Sequence, residues 1–323
     1  LDGDTGQELW TVSYPALGQL DYDNAPRATP LLHDDRVYFF GAFGDLVCAD
    51  ARSGEVFWHV NVRLKFLALD RPPWGTCSTP LLVDDMIVVN PGAPAASLAA
   101  LDAKSGETVW QTPGEPQGYG SFIVATLGGV RQIVGHTQTK LGGWDPQTGR
   151  EMWSLAPKHQ GDFNVPTPIV VGERLLIATE NNGGRLYAFD SAGVIRPNPV
   201  AVNMALNPQM STPVSWGARV FCVNRGSLDC FDAANGLTRL GRSRDRAYAE
   251  FGALVASRDR LLAQGRGGEL LLLDATADRP AIIARAHVAA KKQDRAAELY
   301  TFPALVGNQL YVRCESEVIR VDL

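Results

Sequence analysis

Long apolar runs are missing from this chain. No stretch approaches the roughly 18 consecutive apolar residues of a membrane-spanning helix, which excludes insertion into a bilayer by a helix within these residues. Basic clusters are missing as well. Lys and Arg number 30 against 35 Asp and Glu, for a net charge of −5, and no Lys/Arg run occurs. That balance argues against a general nucleic-acid binder. Histidine is scarce, and His33, His59, His136, His159 and His287 are scattered without a partner at metal-ligand spacing. Cysteine is scarce too, at five residues, an odd number that cannot pair completely. No secretory leader is visible. The chain opens on Leu1, inside a repeat and without Met, so it reads as a segment processed or cut from something longer, and the missing leader says nothing about compartment.

Apolar residues, glycine and proline are abundant. Hydrophobic residues make up 45% of the chain, with 32 Gly and 20 Pro, enough for a large core and too evenly patterned for disorder. The organising stretch is Leu101-Asp-Ala-Lys-Ser-Gly-Glu-Thr-Val-Trp110. Its skeleton of Asp, Ser or Thr, Gly and Trp stands at Asp2/Gly6/Trp10, Asp50/Gly54/Trp58, Asp102/Gly106/Trp110 and Asp145/Gly149/Trp153. Worn copies keep the Asp at 190, 232, 274 and 322. The apolar runs on either side read as two strands. The Asp carboxylate caps turn amides between them, and the Gly supplies the φ > 0 position of a short hairpin. Two residues before the Asp the side chain is small (Cys48, Ala100, Gly143, Ala188, Cys230), which beside a recurring Trp predicts a close-packed seam between successive units. Every copy reads as architecture, so the repeated Asp and Trp are not catalytic candidates.

Each unit holds four strands. The first whole one runs through Ala28-Thr-Pro-Leu-Leu, a turn at Asp34-Asp35, Arg36–Phe40, a turn near Gly41 to Gly44, Asp45–Ala49 and Glu55–Trp58. First strands recur from Ser78, Gly120, Pro166, Ser211, Phe251 and Thr301, making seven in all, each followed by a tight turn, as at Asp84-Asp85, Gly128-Gly129 and Trp216-Gly217. The Asp marks lie 42 to 52 residues apart. A period in the forties with four strands per unit is the signature of an all-β fold, a β-propeller of four-stranded antiparallel blades. Residues 1–323 are therefore expected to form a single propeller domain of seven blades, acting as a monomer. Residues 1–10 would supply the outer strand that completes the last blade, since residues 299–322 hold three strands and stop at their Asp.

Two segments depart from the pattern. Residues 193–209 lack the Trp and hold several Pro and Asn, so the outer strand there should be irregular. Residues 283–298 are Ala-rich, without Gly or Pro, and predict a short inserted helix. Cys222 and Cys230 flank Gly226 symmetrically, an arrangement that leaves open both a cross-strand disulfide and two separately packed thiols. The glycines of 182–185 and 265–268 fall where hairpin turns are due, not between a strand and a helix, so they do not read as phosphate loops.

The Asp-x-x-[Ser/Thr]-Gly-x-x-x-Trp skeleton with its preceding small residue resembles the tryptophan-docking motif of quinoprotein alcohol dehydrogenases and their relatives. The stretch Ala28-Thr-Pro…Arg36-Val-Tyr…Gly44-Asp-Leu-Val-Cys-Ala-Asp is similar to the non-catalytic, BamB-like branch of that PQQ-repeat superfamily, and the likeness runs over nearly the whole chain. The resemblance implies eight blades, leaving room for one upstream of Leu1. It also implies an extracytoplasmic place, in the periplasm or at the outer membrane, and a protein partner in the cell envelope. Catalytic quinoproteins, by the same resemblance, hold pyrroloquinoline quinone over Ca²⁺ by a Glu, an Asn and an Asp, beside a disulfide of adjacent cysteines. No Cys-Cys pair exists here and no segment matches those ligands, so neither cofactor nor metal is expected.

The loops entering each first strand should gather at one channel mouth, where propeller function sits. They carry Asp23, Asn24, Arg27, Trp74, Tyr119, Asp162, Phe163, Asn164, Gln209, Met210, Tyr248, Glu250 and Tyr300. This mixed aromatic, charged and amide rim suits a peptide, a glycan or a partner protein. The primary expectation is a non-enzymatic scaffold or sensor that binds through these loops. A quinone-dependent dehydrogenase would need a carboxylate-rich channel for Ca²⁺. A glycan-cleaving propeller would need two facing carboxylates, for which Asp23, Asp162 and Glu250 are the rim candidates.

Overall fold

The computed structural model describes residues 1–21, 24–69, 72–257, 259–288, 299–314 and 317–323. Among them the regular secondary structure is almost wholly strand, with one four-residue helix and one short 3₁₀ turn. It divides into two compact units, Leu1–Thr167 with Asp190–Val194, and Pro168–Phe189 with Ile195–Leu323.

In the first unit, β1 (Leu31–His33), β2 (Arg36–Phe40), β3 (Asp45–Asp50) and β4 (Val56–Asn61) form one sheet, and helix α1 (Val62–Lys65) follows it. The next sheet holds β5 (Leu81–Val83), β6 (Met86–Val89), β7 (Leu98–Asp102) and β8 (Thr108–Thr112). The third holds β9 (Ile123–Leu127), β10 (Val130–His136), β11 (Leu141–Trp144) and β12 (Glu151–Leu155).

The second unit begins with β13 (Ile169–Val171), β14 (Arg174–Thr179), β15 (Gly183–Tyr187) and β16 (Ala201–Asn203). Its second sheet is β17 (Val214–Trp216), β18 (Arg219–Asn224), β19 (Ser227–Asp232) and β20 (Thr238–Arg244), and its third β21 (Gly252–Ser257), β22 (Arg260–Gly265), β23 (Glu269–Asp274) and β24 (Ala281–His287). The last is β25 (Ala304–Val306), β26 (Gln309–Arg313) and β27 (Val318–Asp322). Every sheet is antiparallel with its strands in sequence order, and the fold is a seven-bladed β-propeller. The last sheet shows three strands, and residues 1–10 carry no strand assignment. They form a hairpin turn, in which Asp2 N–H donates to Gln7 O at 2.7 Å, and they place Trp10, whose Nε1–H donates to Ala51 O at 3.2 Å.

The repeat works through three local devices. In the turn, Asp102 Oδ1 accepts from the N–H groups of Lys104 and Ser105 and from the Ser105 hydroxyl, at 2.7 to 3.0 Å. Across the outer ladder, the small residue stands directly opposite the Trp: Cys48 faces Trp58, Ala100 faces Trp110 and Gly143 faces Trp153. A register shift follows each small residue and turns the outer strand. The indole then lies over the glycine of the next repeat: a Cβ added to Gly106 would come within 2.8 Å of the Trp58 ring. Trp58 Nε1–H donates to Ala103 O, and Trp110 Nε1–H to Pro146 O, each at 3.2 Å. Both rings are buried, in separate clusters of the first unit's core.

First strands begin about three residues later than the sequence suggests. Pro30, Pro80, Pro168, Pro213 and Pro303 sit immediately before β1, β5, β13, β17 and β25, because a residue without an N–H cannot join the ladder. In the first unit the residues around these prolines form a belt from sheet to sheet. Thr29 N–H donates to Thr79 Oγ1, Thr79 N–H to Ser121 Oγ and Ser121 N–H to Thr167 Oγ1, at 3.0 to 3.3 Å.

Two expectations change, and the alternative left open at Cys222 and Cys230 closes in favour of two separately packed thiols. The helix over 283–298 is wrong at its start, where residues 283–287 belong to β24. Pairing of Leu271 with Arg285 and Leu270 with Ala286 overrides local helix propensity. Residues 289–298 lie outside the described residues. The turn placed at Trp216-Gly217 sits one residue later, since Trp216 pairs with Arg219. Cys222 and Cys230 are both free and buried. Cys222 pairs with Asp229, and Cys230 with Phe221, so the two thiols face opposite sides of the sheet and join different core clusters. The irregular outer strand after Asp190 is observed, as the three-residue β16.

Candidate recognition site

In the first unit, three aromatic residues from three inter-sheet connections meet. Trp74, between α1 and β5, packs its ring 4.6 Å from Tyr119 at 40°, and 5.0 Å from Phe163 at 46°. These tilted contacts lie within the range that aromatic pairs favour. Trp74 and Tyr119 are half-buried, whereas Phe163 is 56% exposed. Burial raises the Tyr119 hydroxyl above its ordinary pKa, so it stays neutral.

Beside the rings lies a cavity of about 570 Å³, walled by Tyr119, Phe163 and the prolines 72, 73, 116 and 157. Its two charged lining residues, Arg63 and Asp162, are of opposite sign. Gln117 also lines it; the residue is 6% exposed and its Nε2 has no hydrogen-bond partner among the described residues. The backbone of Gln117 is fixed by a bridge to Thr137. Gly118 lets the chains approach closely, since a Cβ there would lie 2.8 Å from Thr137 O.

Asn164 is a brace beneath this site rather than an exposed rim residue. It is 3% exposed with φ 54°, a left-handed conformation that Asn tolerates. Its Nδ2 donates to Thr137 O and Gln138 O at 3.3 and 2.9 Å, and its carbonyl accepts from Gly120 N–H at 2.7 Å. Alongside, Glu115 Oε2 accepts from the hydroxyls of Thr137 and Thr139 and Oε1 pairs with Lys140. Burial works to raise that carboxyl, but those hydrogen bonds outweigh it and hold it below its ordinary value.

The other rim candidates separate. Asp23 lies outside the described residues. Asn24 and Arg27 close their own loop: Asn24 Nδ2 donates to Gly18 O, and Arg27 donates to Ala25 O and Asp21 O at 2.7 Å. In the second unit, Met210 is exposed, and Glu250 forms an ion pair with Arg266. Arg266 also donates to the Tyr300 hydroxyl at 3.3 Å and sits 5.9 Å from that ring's centroid. Tyr248 is not a rim residue. The 3₁₀ turn Arg246–Tyr248, capped by Asp245, turns it into the core, where it is 1% exposed and burial pushes its hydroxyl far up. Among the described residues no three His, Cys, Asp or Glu side chains converge as a metal site.

Sequence reading missed Gln117 and the proline walls. The run Pro116-Gln-Gly-Tyr119 and the pair Pro72-Pro73 were the available signals, but nothing local says that two connections from different sheets will face each other.

Solved structures of similar fold include BamB from Moraxella catarrhalis, with a TM-score of 0.62 at 18% identity, covering 88% of this chain and 78% of that one. The quinohemoprotein alcohol dehydrogenase ADHIIG of Pseudomonas putida HK5 superimposes with a TM-score of 0.59 at 11% identity, covering 90% of this chain and 62% of that one. By sequence, the quinohemoprotein alcohol dehydrogenase ADH-IIG of Pseudomonas putida is 25% identical over 219 residues, 64% of this chain and 29% of its own length. A 1-butanol dehydrogenase (quinone) of Thauera butanivorans is 29% identical over 182 residues, 48% of this chain and 26% of its own. The sequence matches thus span less than a third of the length of these dehydrogenases. The family model described as outer membrane protein assembly factor BamB matches residues 1–239, and the chain belongs to that family.

Proposed function

We propose that this chain is a non-enzymatic, extracytoplasmic scaffold or sensor that binds a protein partner through the inter-sheet connections of its first unit. The observation that carries this reading is the Trp74–Tyr119–Phe163 cluster, with Phe163 56% exposed at a 570 Å³ cavity, in a member of the BamB family. Clustered aromatic rings held rigid by packing, with amides around them, are what recognition surfaces use for anchoring. Membership of a family whose model is described as outer membrane protein assembly factor BamB supports a place in the cell envelope.

The second reading, a quinone-dependent dehydrogenase, has the two dehydrogenase relatives in its favour. The residues present do not fit it well. The chain has no adjacent cysteine pair, and no cluster of three potential metal-ligating side chains is found among the described residues.

One experiment separates the two. A photo-crosslinking residue replaces Phe163 in the protein expressed in its own cell, and crosslinked species are identified by mass spectrometry. The expected outcome is a defined protein adduct that a residue placed on the far edge of β24 does not form. Stoichiometric binding of pyrroloquinoline quinone with Ca²⁺, followed by alcohol-dependent dye reduction, would overturn the scaffold reading.

A further inference from the structure

The geometry points to the occupant of the first unit's cavity: an uncharged, extended peptide segment rich in proline, a proposal that rests on the protein-binding reading above. Its lining brings together Tyr119 and Phe163, both packed on Trp74, with the pyrrolidine rings of Pro72, Pro73, Pro116 and Pro157, among amide and hydroxyl side chains. A polyproline II segment, with three residues per turn, presents pyrrolidine rings at the spacing that aromatic grooves accept. It also loses little conformational freedom on binding, because proline has already restricted it.

The polar requirement points the same way. Gln117 lines the cavity and is nine-tenths buried, and its Nε2 donor has no partner among the described residues. A buried donor is costly until an acceptor reaches it. A polyproline II backbone carries carbonyls with no internal partner and, at each proline, no N–H of its own to satisfy. It supplies acceptors where the cavity lacks one, and asks for none in return.

Charge and size restrict the occupant further. The lining charges, Arg63 and Asp162, balance, so the site favours neither an acidic nor a basic segment. The volume of about 570 Å³ is that of a pocket for a few residues, not a face for a folded domain. A neutral oligosaccharide is the other uncharged occupant of this size, and the titration below tells the two apart.

The test is calorimetric titration of the full chain with three probes. These are an acetylated, amidated octapeptide of Pro-Pro-Ala repeats, a Gly-Ser octapeptide of the same length, and maltohexaose. Saturable binding of the proline peptide, about tenfold or more tighter than either control, is expected. Phe163→Ser, at an exposed position, should weaken it about tenfold, and Gln117→Leu by a similar factor. Circular dichroism verifies that each variant folds, and the exposed-site variant decides the matter should Gln117→Leu not fold. Equal affinity for both peptides, no binding up to millimolar concentration, tighter binding of maltohexaose, or binding indifferent to Phe163→Ser would each overturn the proposal. Should the crosslink at position 163 capture a defined protein while the proline peptide does not bind, the scaffold reading stands and this one falls. Should the peptide bind while no protein is captured, the cavity's chemistry stands and the cellular partner is what fails.

Discussion

Trp153 donates its indole N–H to the side-chain oxygen of Gln132 at 2.6 Å, both residues being buried. In the preceding repeats the indole reaches the next repeat's main chain directly, as Trp58 does at Ala103 and Trp110 at Pro146. After Trp153 the next repeat is the worn copy at Asp190–Gly193, and Gln132 acts as the relay, donating Nε2–H to Gly193 O at 3.0 Å. One glutamine thus replaces the backbone contact where the repeat decays. Gln132→Ala should cost on the order of 1 to 3 kcal/mol, since it removes the acceptor of a buried donor and the tie to Gly193. Urea denaturation midpoints measure this, and an unchanged midpoint would remove the relay.

The seam Trp residues should be worth more. Trp110→Ala empties a site where the ring is 8% exposed and packed with Val88, Leu98 and Ile133. A loss of about 3 to 5 kcal/mol is expected. Trp10→Ala should cost clearly less, because Trp10 is only half-buried, although its Nε1–H still donates to Ala51 O. Equal costs at the two positions would show that burial does not set the energy of the seam.

The turn carboxylates make the fold acid-sensitive in a defined direction. Hydrogen bonds from Ser105 hold the Asp102 carboxyl below its ordinary value of 3.8, and equivalent bonds do so at Asp50 and Asp145. A carboxyl lowered in the folded state contributes stability that is fully present above its unfolded pKa and is lost as pH falls through the folded one. Stability should therefore hold from neutrality down to about pH 4 and decline below it as far as these groups are concerned. Replacing Asp50, Asp102 and Asp145 together by Asn should flatten that acid limb, read as denaturation midpoint against pH.

Disulfide chemistry should be silent. All five cysteines are free, four of them buried, and burial pushes the Cys230 thiol up to about 11 and the partly exposed Cys77 likewise to about 11. Thiol titration should find five groups after unfolding and slow reaction before it. Adding a reductant should leave the melting temperature unchanged, and a drop would reveal a disulfide that the opposed faces of Cys222 and Cys230 do not allow.

The architecture was legible because its signals are local and repeated. A Gly at φ > 0, an Asp two and three residues before the amides it caps, and a Trp four residues after the Gly act within one hairpin, so spacing alone reveals them. Four close copies, four worn ones and seven first strands then identify the fold class. The small residue before each Asp was also legible, but its direct pairing with the Trp across the ladder was visible only once the register was known.

What the sequence could not reveal depends on register and on which connections meet. A one-residue difference in the β18–β19 pairing sends Cys222 and Cys230 to opposite faces, because side chains alternate along a strand. Tyr248 and Glu250 stand in one connection with similar local context, yet the 3₁₀ turn buries the first and leaves the second exposed. The strand at 283–287 wins over helix propensity because β23 offers a complete ladder. The sequence by itself determined the repeat, the blade count and the hairpin chemistry, all carried by contacts a few residues apart. Only the tertiary structure brought Trp74, Phe163 and the Gln117–Tyr119 stretch together beside one cavity, since they come from three connections whose meeting depends on how successive sheets pack.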